Sequence, residues 1–350
     1  MPHYYSFFND YSEGAHPQIL AALQESNLKQ ESGYGLDGFS EEAAMLIKQA
    51  IQQQEAAVHF VSNGTQANYI SLSFLLKPFE AVIAADNGHI EVHEAGAVEA
   101  TGHKIVTVPG VEGKVTPEGI ESILATHVNE HMVHPRVVYI SQSTELGTIY
   151  SKNELEKISK LCHEKNLYLF VDGARLGAAL TSSAADFTLP DMARFADLFT
   201  IGGTKNGALL GEAIVITRPH LQHQFRYQLK QQGALLAKGR VFGIQFREFF
   251  RDELYFDNAH HANAMAQKLA EGILSLGHQL AYPAVTNKIF AILPDERIEE
   301  LQKKYGFYIW TKNWTKAFNN SSNSVIRLVT SWATREEAVD DFIEELSHCS

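Results

Sequence analysis

Two segments in the middle of the chain decide the fold: NLYLFVDGAR, residues 166–175, and ADLFTIGGTKNG, residues 196–207. Each begins with a short apolar run and ends in polar residues and glycine. This pattern is typical of a buried strand that opens into a loop. Ligands in open α/β sheets usually bind at such strand ends. We therefore expect the two loops to contribute to one site.

Asp172 ends the first apolar run, and Lys205 lies in the glycine-flanked turn after the second. A lysine amine can form a Schiff base with pyridoxal phosphate (PLP), and a carboxylate can pair with the pyridine nitrogen of that cofactor. The two residues together therefore indicate a PLP enzyme. On these segments alone another interpretation stays open, in which Asp172 is an ordinary strand end and Lys205 a solvated turn lysine.

The rest of the chain alternates strand and helix patterns about six or seven times, which predicts an α/β fold: a mostly parallel sheet with helices on both faces. From about residue 251 the order changes and predicts a smaller C-terminal α+β domain with an antiparallel sheet. We divide the chain into an N-terminal arm (1–15), a large cofactor-binding domain (16–245) and a small domain (246–350).

Three local features are also predicted. Ser40 is expected to cap a helix over EEAAMLIKQAI, and Ser151 one over SKNELEKISKLCHEKN. HEAGAVEATG, residues 93–102, is expected to be a helix that stops at its glycine.

Composition excludes several classes of protein. The chain of 350 residues has 29 basic and 41 acidic residues, a formal charge of −12, which argues against a general binder of nucleic acid or anionic membranes. It has no apolar run of about 18 residues that would cross a membrane, and its start lacks the pattern of a secretory signal. Cys162 and Cys349 are too far apart to suggest a disulfide framework or a metal site, so we expect a cytoplasmic protein.

Other polar residues follow neighbouring strands. SNGTQAN, residues 62–68, lies where a strand turns into a helix; there Gly64 and the hydroxyl of Thr65 suit an anion site, or simply a helix cap. His89 lies at the next strand end, where an imidazole can stack on a flat ring, although an ordinary loop histidine fits the same pattern. His93 follows one helical turn later.

Two arginines and a threonine complete the candidates. Arg175 can bind a carboxylate through two hydrogen bonds or be a solvated arginine at a helix start. Thr204 precedes the lysine and can reach a phosphate. Arg327 lies on an otherwise apolar strand, VIRLVT, so it must be paired or functional. It can bind the α-carboxylate of an amino acid or form a salt bridge between domains.

The order of the motifs resembles that of the low-specificity threonine aldolases, fold-type I PLP enzymes in the group that also holds the aromatic amino acid β-eliminating lyases. The motifs are SNGTQAN, NGHIEVHEAGA, STELGT, VDGARLG, TIGGTKNG and IRLVTSWATREE. They extend over nearly the whole chain. VDGAR followed by a lysine at this distance is the most specific of them, and GTQAN is the next.

The resemblance implies a role for each candidate. Lys205 would carry the cofactor, Asp172 would bind its pyridine nitrogen and His89 would stack on its ring. The residues implied beside the cofactor phosphate are Gly64, Thr65 and Thr204, and those implied to engage a cofactor or substrate carboxylate are Arg175 and Arg327.

The sequence departs from typical members of this family in three places. GGTKNG lacks the serine before the lysine and the proline after it. FFNDY, which contains Asn9, replaces an Arg-Ser-Asp-Thr segment, and we expect Asn9 to contact substrate. QGALLAKGR replaces a stretch that holds a further arginine in typical members, and we expect Lys238 or Arg240 to stand in for it. YGLDG, with Tyr34, resembles the family's loop that reaches an active site across a dimer interface.

We therefore predict cleavage of threonine or allo-threonine to glycine and acetaldehyde, in a homodimer or homotetramer with shared active sites. The base that takes the β-hydroxyl proton is His89, His93 or a water. The alternatives are β-elimination or transamination of another amino acid. A further alternative is a fold relative without catalysis that acts in binding or assembly.

Overall fold

The computed structural model describes residues 5–316 and 322–348, in which helices and strands alternate through most of the chain. The strands are β1 (Tyr5–Ser6), β2 (Ala57–Val61), β3 (Glu80–Ala85), β4 (Lys104–Val108), β5 (His134–Ser141), β6 (Tyr168–Asp172), β7 (Leu198–Gly202), β8 (Glu212–Ile216), β9 (Gln279–Leu280), β10 (Lys288–Pro294), β11 (Tyr305–Gly306), β12 (Tyr308–Lys316) and β13 (Ser322–Val329). The α-helices are α1 (Pro17–Glu25), α2 (Gly38–Ala50), α3 (Gly64–Leu75), α4 (His89–Val92), α5 (Pro117–Thr126), α6 (Lys152–Glu164), α7 (Leu176–Leu180), α8 (Leu189–Phe195), α9 (Phe225–Gln231), α10 (Arg240–Arg251), α11 (Leu254–Ser275), α12 (Asp295–Leu301) and α13 (Glu336–His348).

The large sheet has seven strands in the order β2-β8-β7-β6-β5-β3-β4. Strands β3, β4, β5, β6 and β7 are parallel to their neighbours in this group, and only β8 runs antiparallel to the strands beside it, β2 and β7. The predicted mostly parallel sheet is therefore confirmed.

Both faces of this sheet are covered, which explains its continuous apolar strands. Successive side chains point to opposite faces, so neighbouring residues join different cores. Ile83 and Val138 lie in one apolar cluster, whereas Val82 and Val137 lie in the other. Helices therefore pack on both faces, and the strand ends stay open for a site.

A second sheet, in the order β12-β13-β10-β9, is antiparallel and confirms the predicted C-terminal α+β part. Its apolar face packs against side chains of α11 and α13, including Leu269 and Phe342. The predicted boundary between residues 245 and 246 falls inside α10 and stays a prediction.

The N-terminal arm packs on this C-terminal part. Strand β1 pairs with β11 in parallel, and Phe7 is fully buried in the C-terminal core. The backbone N–H of Phe7 donates to Gly306, and that of Val329 donates to the Phe7 carbonyl. The arm thereby carries Asn9 and Asp10 toward the carboxyl ends of the large sheet.

Two local predictions were wrong. Asp37, rather than Ser40, caps α2, because its extended backbone lets its carboxylate accept the Ser40 N–H at 2.9 Å. HEAGAVEATG is not a continuous helix: α4 ends at Val92, and only a short 3₁₀ turn, Glu99–Thr101, follows. Ala95 and Gly96 have φ values of 51° and 75°, which no α-helix accommodates.

Two other features of the same kind are confirmed. The Gly102 stop adopts a left-handed conformation, and Ser151 caps α6 in a reciprocal capping box with Glu154. Among the described residues, no helix combines the length and apolar character needed to cross a bilayer.

Candidate active site

The ends of β6 and β7 lie side by side, which brings Asp172 and the Lys205 turn together. The Gly202 N–H donates to the Gly173 carbonyl at 2.9 Å. A Cβ atom on Gly173 would lie 1.9 Å from the Thr200 carbonyl oxygen, so this approach requires glycine. Lys205 follows in a short 3₁₀ turn, Thr204–Asn206.

A cavity of about 380 Å³ opens above these strand ends, between the large sheet and the C-terminal part. Five of the predicted residues line it: Asn9, His89, Arg175, Lys205 and Arg327. His93, named as a possible base, lines it as well, together with the aromatic side chains of Tyr11, Tyr308 and Trp310. The structure therefore gathers residues from both parts of the chain and from the arm.

Asp172 is buried beside this cavity and has three hydrogen-bond donors. The Tyr139 hydroxyl and the Asn68 amide donate to Oδ2 at 2.6 and 3.0 Å, and the Ala174 N–H donates to Oδ1 at 2.8 Å. Burial alone would raise the pKa of this carboxyl, but the His89 ring, these donors and the Lys205 amine hold the pKa of Asp172 below its ordinary value. Asp172 is therefore an ionised carboxylate at neutral pH.

A buried acid that the sequence analysis missed connects His89 to Asp172. Glu94 Oε1 lies 3.0 Å from His89 Nδ1. Asn68 Nδ2 also donates to Glu94 Oε1, at 2.8 Å, so one amide group joins the two buried carboxylates. This network fixes the orientation of the His89 ring, whose side chain is 25% exposed.

Arg175 is held from the arm. Its Nε and Nη2 donate to the two oxygens of Asp10 at 2.6 and 2.9 Å, and Asn287 Nδ2 donates to the same carboxylate at 2.9 Å. Burial raises the pKa of an isolated carboxyl, but the Arg175 charge and its hydrogen bonds hold the pKa of Asp10 low. Arg175 is thus a fixed cation in the cavity wall and not the solvated arginine that the sequence also permitted.

Arg327 enters the same cavity from β13. Its guanidinium lies over the rings of Tyr308 and Trp310, at 4.5 and 5.4 Å from their centroids. Nη2 donates to the Phe8 carbonyl at 3.3 Å, while the buried Nε has no partner among the described residues. Within those residues Arg327 forms no ion pair, so the predicted salt bridge between domains is not present. An anion in the cavity would satisfy the free donor.

The predicted phosphate residues lie along the same edge. Val61, at the end of β2, and Gly202, at the end of β7, both pair with Glu212 of β8, so SNGTQAN and the lysine turn are neighbours. Asn63 caps α3 by accepting the Gln66 N–H at 2.8 Å. The N–H groups of the first helical turn have no acceptor within the helix, which leaves an anion-binding helix start at Gly64 and Thr65. The Thr204 hydroxyl accepts the Gly211 N–H at 3.1 Å.

Glu212 is a second buried acid that the sequence analysis missed. Burial and the nearby Asp172 charge raise its pKa to about 8, although Lys205 acts in the opposite direction. Its Oε2 has no hydrogen-bond partner among the described residues. A neutral carboxyl group therefore lies beside the turn that carries Lys205.

Tyr34, Lys238 and Arg240, which were also predicted to act at the site, line other grooves of this chain. Tyr34 lines a separate cavity of about 370 Å³, and the Lys230 amine lies over its ring at 4.6 Å. Lys238 and Arg240 border a third groove. The Arg240 guanidinium donates to the carbonyls of Ser26 and Lys29. Their assigned roles stay predictions.

Some of the missed residues carried a signal in the sequence. Asp10 is the acid of FFNDY, next to Asn9, and Asn68 ends the SNGTQAN motif one helical turn after Gly64. Glu145 belongs to STELGT, which was noted as a motif but given no role. Glu94 likewise belongs to the motif NGHIEVHEAGA, which was given no acidic role, whereas Glu212 gave no signal, because an acid at a strand start is ordinarily solvated.

Comparisons with known proteins identify the family of this chain. The model of the beta-eliminating lyase family matches residues 15–296. A low specificity L-threonine aldolase of Pseudomonas aeruginosa is 32% identical over 348 residues, 98% of this chain and 97% of that protein. The structure of a Leishmania major threonine aldolase is 46% identical and superposes with a TM-score of 0.93 over 98% of both chains. An aspartate aminotransferase of Thermus thermophilus, 15% identical over 99% of this chain and 91% of its own, shares the fold with a TM-score of 0.71.

The chain belongs to the beta-eliminating lyase family, within the fold-type I PLP enzymes. It is a PLP-dependent lyase, and the resemblance noted from the sequence is confirmed. The residues present fit the cofactor. Asp172 is an ionised partner for a protonated ring nitrogen, and the start of α3 offers free N–H groups to a phosphate.

Proposed function

We propose that this enzyme cleaves a β-hydroxy-α-amino acid, threonine or allo-threonine, into glycine and acetaldehyde. One observation carries the proposal: Lys205 and Asp172 lie at adjacent strand ends, below a cavity that presents Arg175 and Arg327 to an anionic substrate. The names of the similar proteins, low specificity L-threonine aldolase and threonine aldolase, support the same reaction.

Residues at the strand ends would hold the cofactor. Lys205 would carry it, Asp172 would keep the proton on its pyridine nitrogen, and His89 would stack on its ring. Gly64, Thr65 and Thr204 would surround the phosphate. When bound, PLP supplies an acceptor for the electron pair released at the substrate α-carbon.

The cavity residues would orient the substrate. Arg327 has an unpartnered Nε and would bind the α-carboxylate, with Arg175 adding a fixed positive charge and Asn9 a polar contact. The aromatic rings of Tyr308 and Trp310 attract the Arg327 guanidinium through cation–π contacts and limit its contact with water.

A proton must leave the substrate β-hydroxyl before the bond between Cα and Cβ breaks. His93 lines the cavity, and burial lowers its pKa, so its ring is neutral at pH 7 and able to accept a proton. His89 is the second candidate, held at Nδ1 by Glu94, and a water is the third.

The test is a product assay of the purified holoenzyme with threonine, allo-threonine, phenylserine and serine. We expect acetaldehyde from threonine or allo-threonine, together with glycine in equal amounts. Lys205→Ala should lose both the products and the visible absorption band of the lysine-bound cofactor. Release of ammonia and pyruvate from serine, without acetaldehyde from either threonine isomer, would instead support β-elimination.

We also propose that the enzyme works in the cytoplasm as a homodimer or homotetramer with shared active sites. The Tyr34 loop supports the assembly, because Leu36 on this loop is 66% exposed and Tyr34 itself 44% exposed, an apolar surface suited to a second copy. The buried free thiol of Cys162 supports the location; Cys349 lies outside the described residues. Light scattering of the holoenzyme measures the assembly, and a monomer would contradict it.

A further inference from the structure

Glu145 is the only acidic side chain among the described residues that line the Lys205 cavity. It lies on the loop between β5 and α6, in the STELGT motif, and its side chain is 8% exposed. Cationic groups surround it: Arg175, Lys205 and, when protonated, His89. The proposed function uses these cations but assigns nothing to the acid.

A lysine from the second sheet holds this acid in place. Lys288, the first residue of β10, is fully buried and donates to Glu145 Oε2 at 3.2 Å. Its amine also donates to the carbonyls of Thr144 and Glu145, each at 3.2 Å. The Thr286 hydroxyl donates to the Gly147 carbonyl at 2.8 Å. These bonds fasten the Glu145 loop to the C-terminal part, so the carboxylate has a fixed position.

The other carboxylate oxygen, Oε1, accepts no hydrogen bond from the described residues. Burial raises the pKa of a carboxyl, but Lys288, Arg175, His89 and Lys205 outweigh burial and hold the pKa of Glu145 far below its ordinary value. The group therefore stays ionised and accepts hydrogen bonds, whereas it is too weak a base to remove the proton itself.

We propose that Glu145 is the specificity-determining residue that accepts a hydrogen bond from the substrate β-hydroxyl, and that Lys288 is the residue that positions it. The inference rests on the proposed function and names the polar group that the site selects. The substrate carboxylate is repelled by Glu145 and goes to the arginines, and the substrate amine goes to the cofactor. The substrate β-hydroxyl is then left to donate its one hydrogen bond to Glu145 in the bound complex, and the proton passes to the base only when the bond between Cα and Cβ breaks.

Two consequences follow for selectivity. A site with a polar group placed for a hydroxyl discriminates against the analogue that lacks it, because its own acceptor is then left unpaired. A carboxylate at the same place also repels amino acids with an acidic side chain. Serine should therefore bind better than alanine, and aspartate should be excluded.

The experiment measures binding of serine, alanine and aspartate to the holoenzyme by calorimetry and by the change in the visible cofactor band. The variants are Glu145→Ala and Glu145→Gln, with Glu91→Gln, an exposed acid on the nearby α4, as the matched control. We expect Glu145→Gln to fold and to keep the contact with Lys288, because its amide oxygen can still accept from the Lys288 amine. A hydrogen bond to a charged group predicts that the wild type prefers serine over alanine by about 10-fold or more.

The expected result is that Glu145→Ala loses this preference while its affinity for alanine is unchanged, and that both Glu145 variants gain affinity for aspartate. Glu91→Gln should retain the wild-type pattern. Equal binding of serine and alanine by the wild type would overturn the inference alone, and so would an equal loss of affinity for both amino acids in Glu145→Ala. A wild type that binds none of the three would overturn the proposed function and the inference with it.

Discussion

Arg175 donates two hydrogen bonds to Asp10, from Nε to Oδ2 at 2.6 Å and from Nη2 to Oδ1 at 2.9 Å. Asp10 belongs to the N-terminal arm, whereas Arg175 follows β6 of the large sheet. Asp10 is buried and the Arg175 side chain is 11% exposed toward the cavity, so the pair connects distant parts of the chain in the cavity wall. The arm is therefore part of the site and not a loose terminal segment.

Replacing Asp10 tests this connection. Asp10→Ala leaves the Arg175 charge buried without a partner, which costs about 3–5 kcal/mol in comparable buried pairs. We expect a lower free energy of unfolding and a higher KM for the amino acid. Denaturant unfolding and steady-state kinetics measure the two effects. Asp340→Ala, which removes a surface pair with Lys268, is the control and should lower stability far less. Equal losses in both variants would contradict the role of Asp10.

Asp172→Asn removes the negative charge at the base of the cavity while keeping its shape. A neutral amide holds a proton on the pyridine nitrogen less well, so we expect kcat to fall by about 100-fold or more. Tyr139→Phe removes only one donor to Asp172 and should have a smaller effect. Kinetics at saturating substrate and cofactor distinguish the two. A kcat of Asp172→Asn close to that of the wild type would rule out this assignment.

Asn68→Ala removes the amide that donates to both Asp172 and Glu94. Two buried carboxylates would then lose a shared donor, and we expect a loss of about 1–3 kcal/mol in the free energy of unfolding. We also expect a lower kcat, because Glu94 orients His89 through this network. Asn27→Ala, at an exposed position, is the control for both measurements. Unchanged stability in Asn68→Ala would show that the amide is dispensable.

Glu212 makes stability depend on pH. Its folded pKa, about 8, lies above the ordinary value of 4.5, so between these values the folded state keeps a proton that the unfolded state releases. The contribution of Glu212 to the free energy of unfolding is therefore complete below pH 4.5. It is lost as the pH rises toward 8, by at most about 1.4 kcal/mol per pH unit. Glu212→Gln should remove this slope, which guanidinium unfolding at several pH values measures. Parallel curves for the two proteins would count against a neutral Glu212.

The sequence predicted the architecture because its strands are continuous apolar runs with helices between them. Continuous apolar strands alternating with helices are typical of a parallel sheet covered on both faces, so few other fold classes fit the pattern. Asp172 and Lys205 were predicted to share a site for the same reason, since each follows such a strand and parallel strand ends meet at one edge. The predicted helix over HEAGAVEATG was wrong, because Ala95 and Gly96 adopt positive φ angles that the local sequence does not predict.

The residues around this pair depend on contacts between distant segments. Asp10 meets Arg175, Lys288 meets Glu145, and Asn68 meets Asp172, each across more than a hundred residues of chain. The sequence shows the chemistry of a side chain but not its burial or its partners, and these set its pKa. The sequence by itself therefore determined the sheet and the two residues that would grip the cofactor. Only the tertiary structure decided which acids and bases surround them, because packing brings charges together that the order of residues keeps apart.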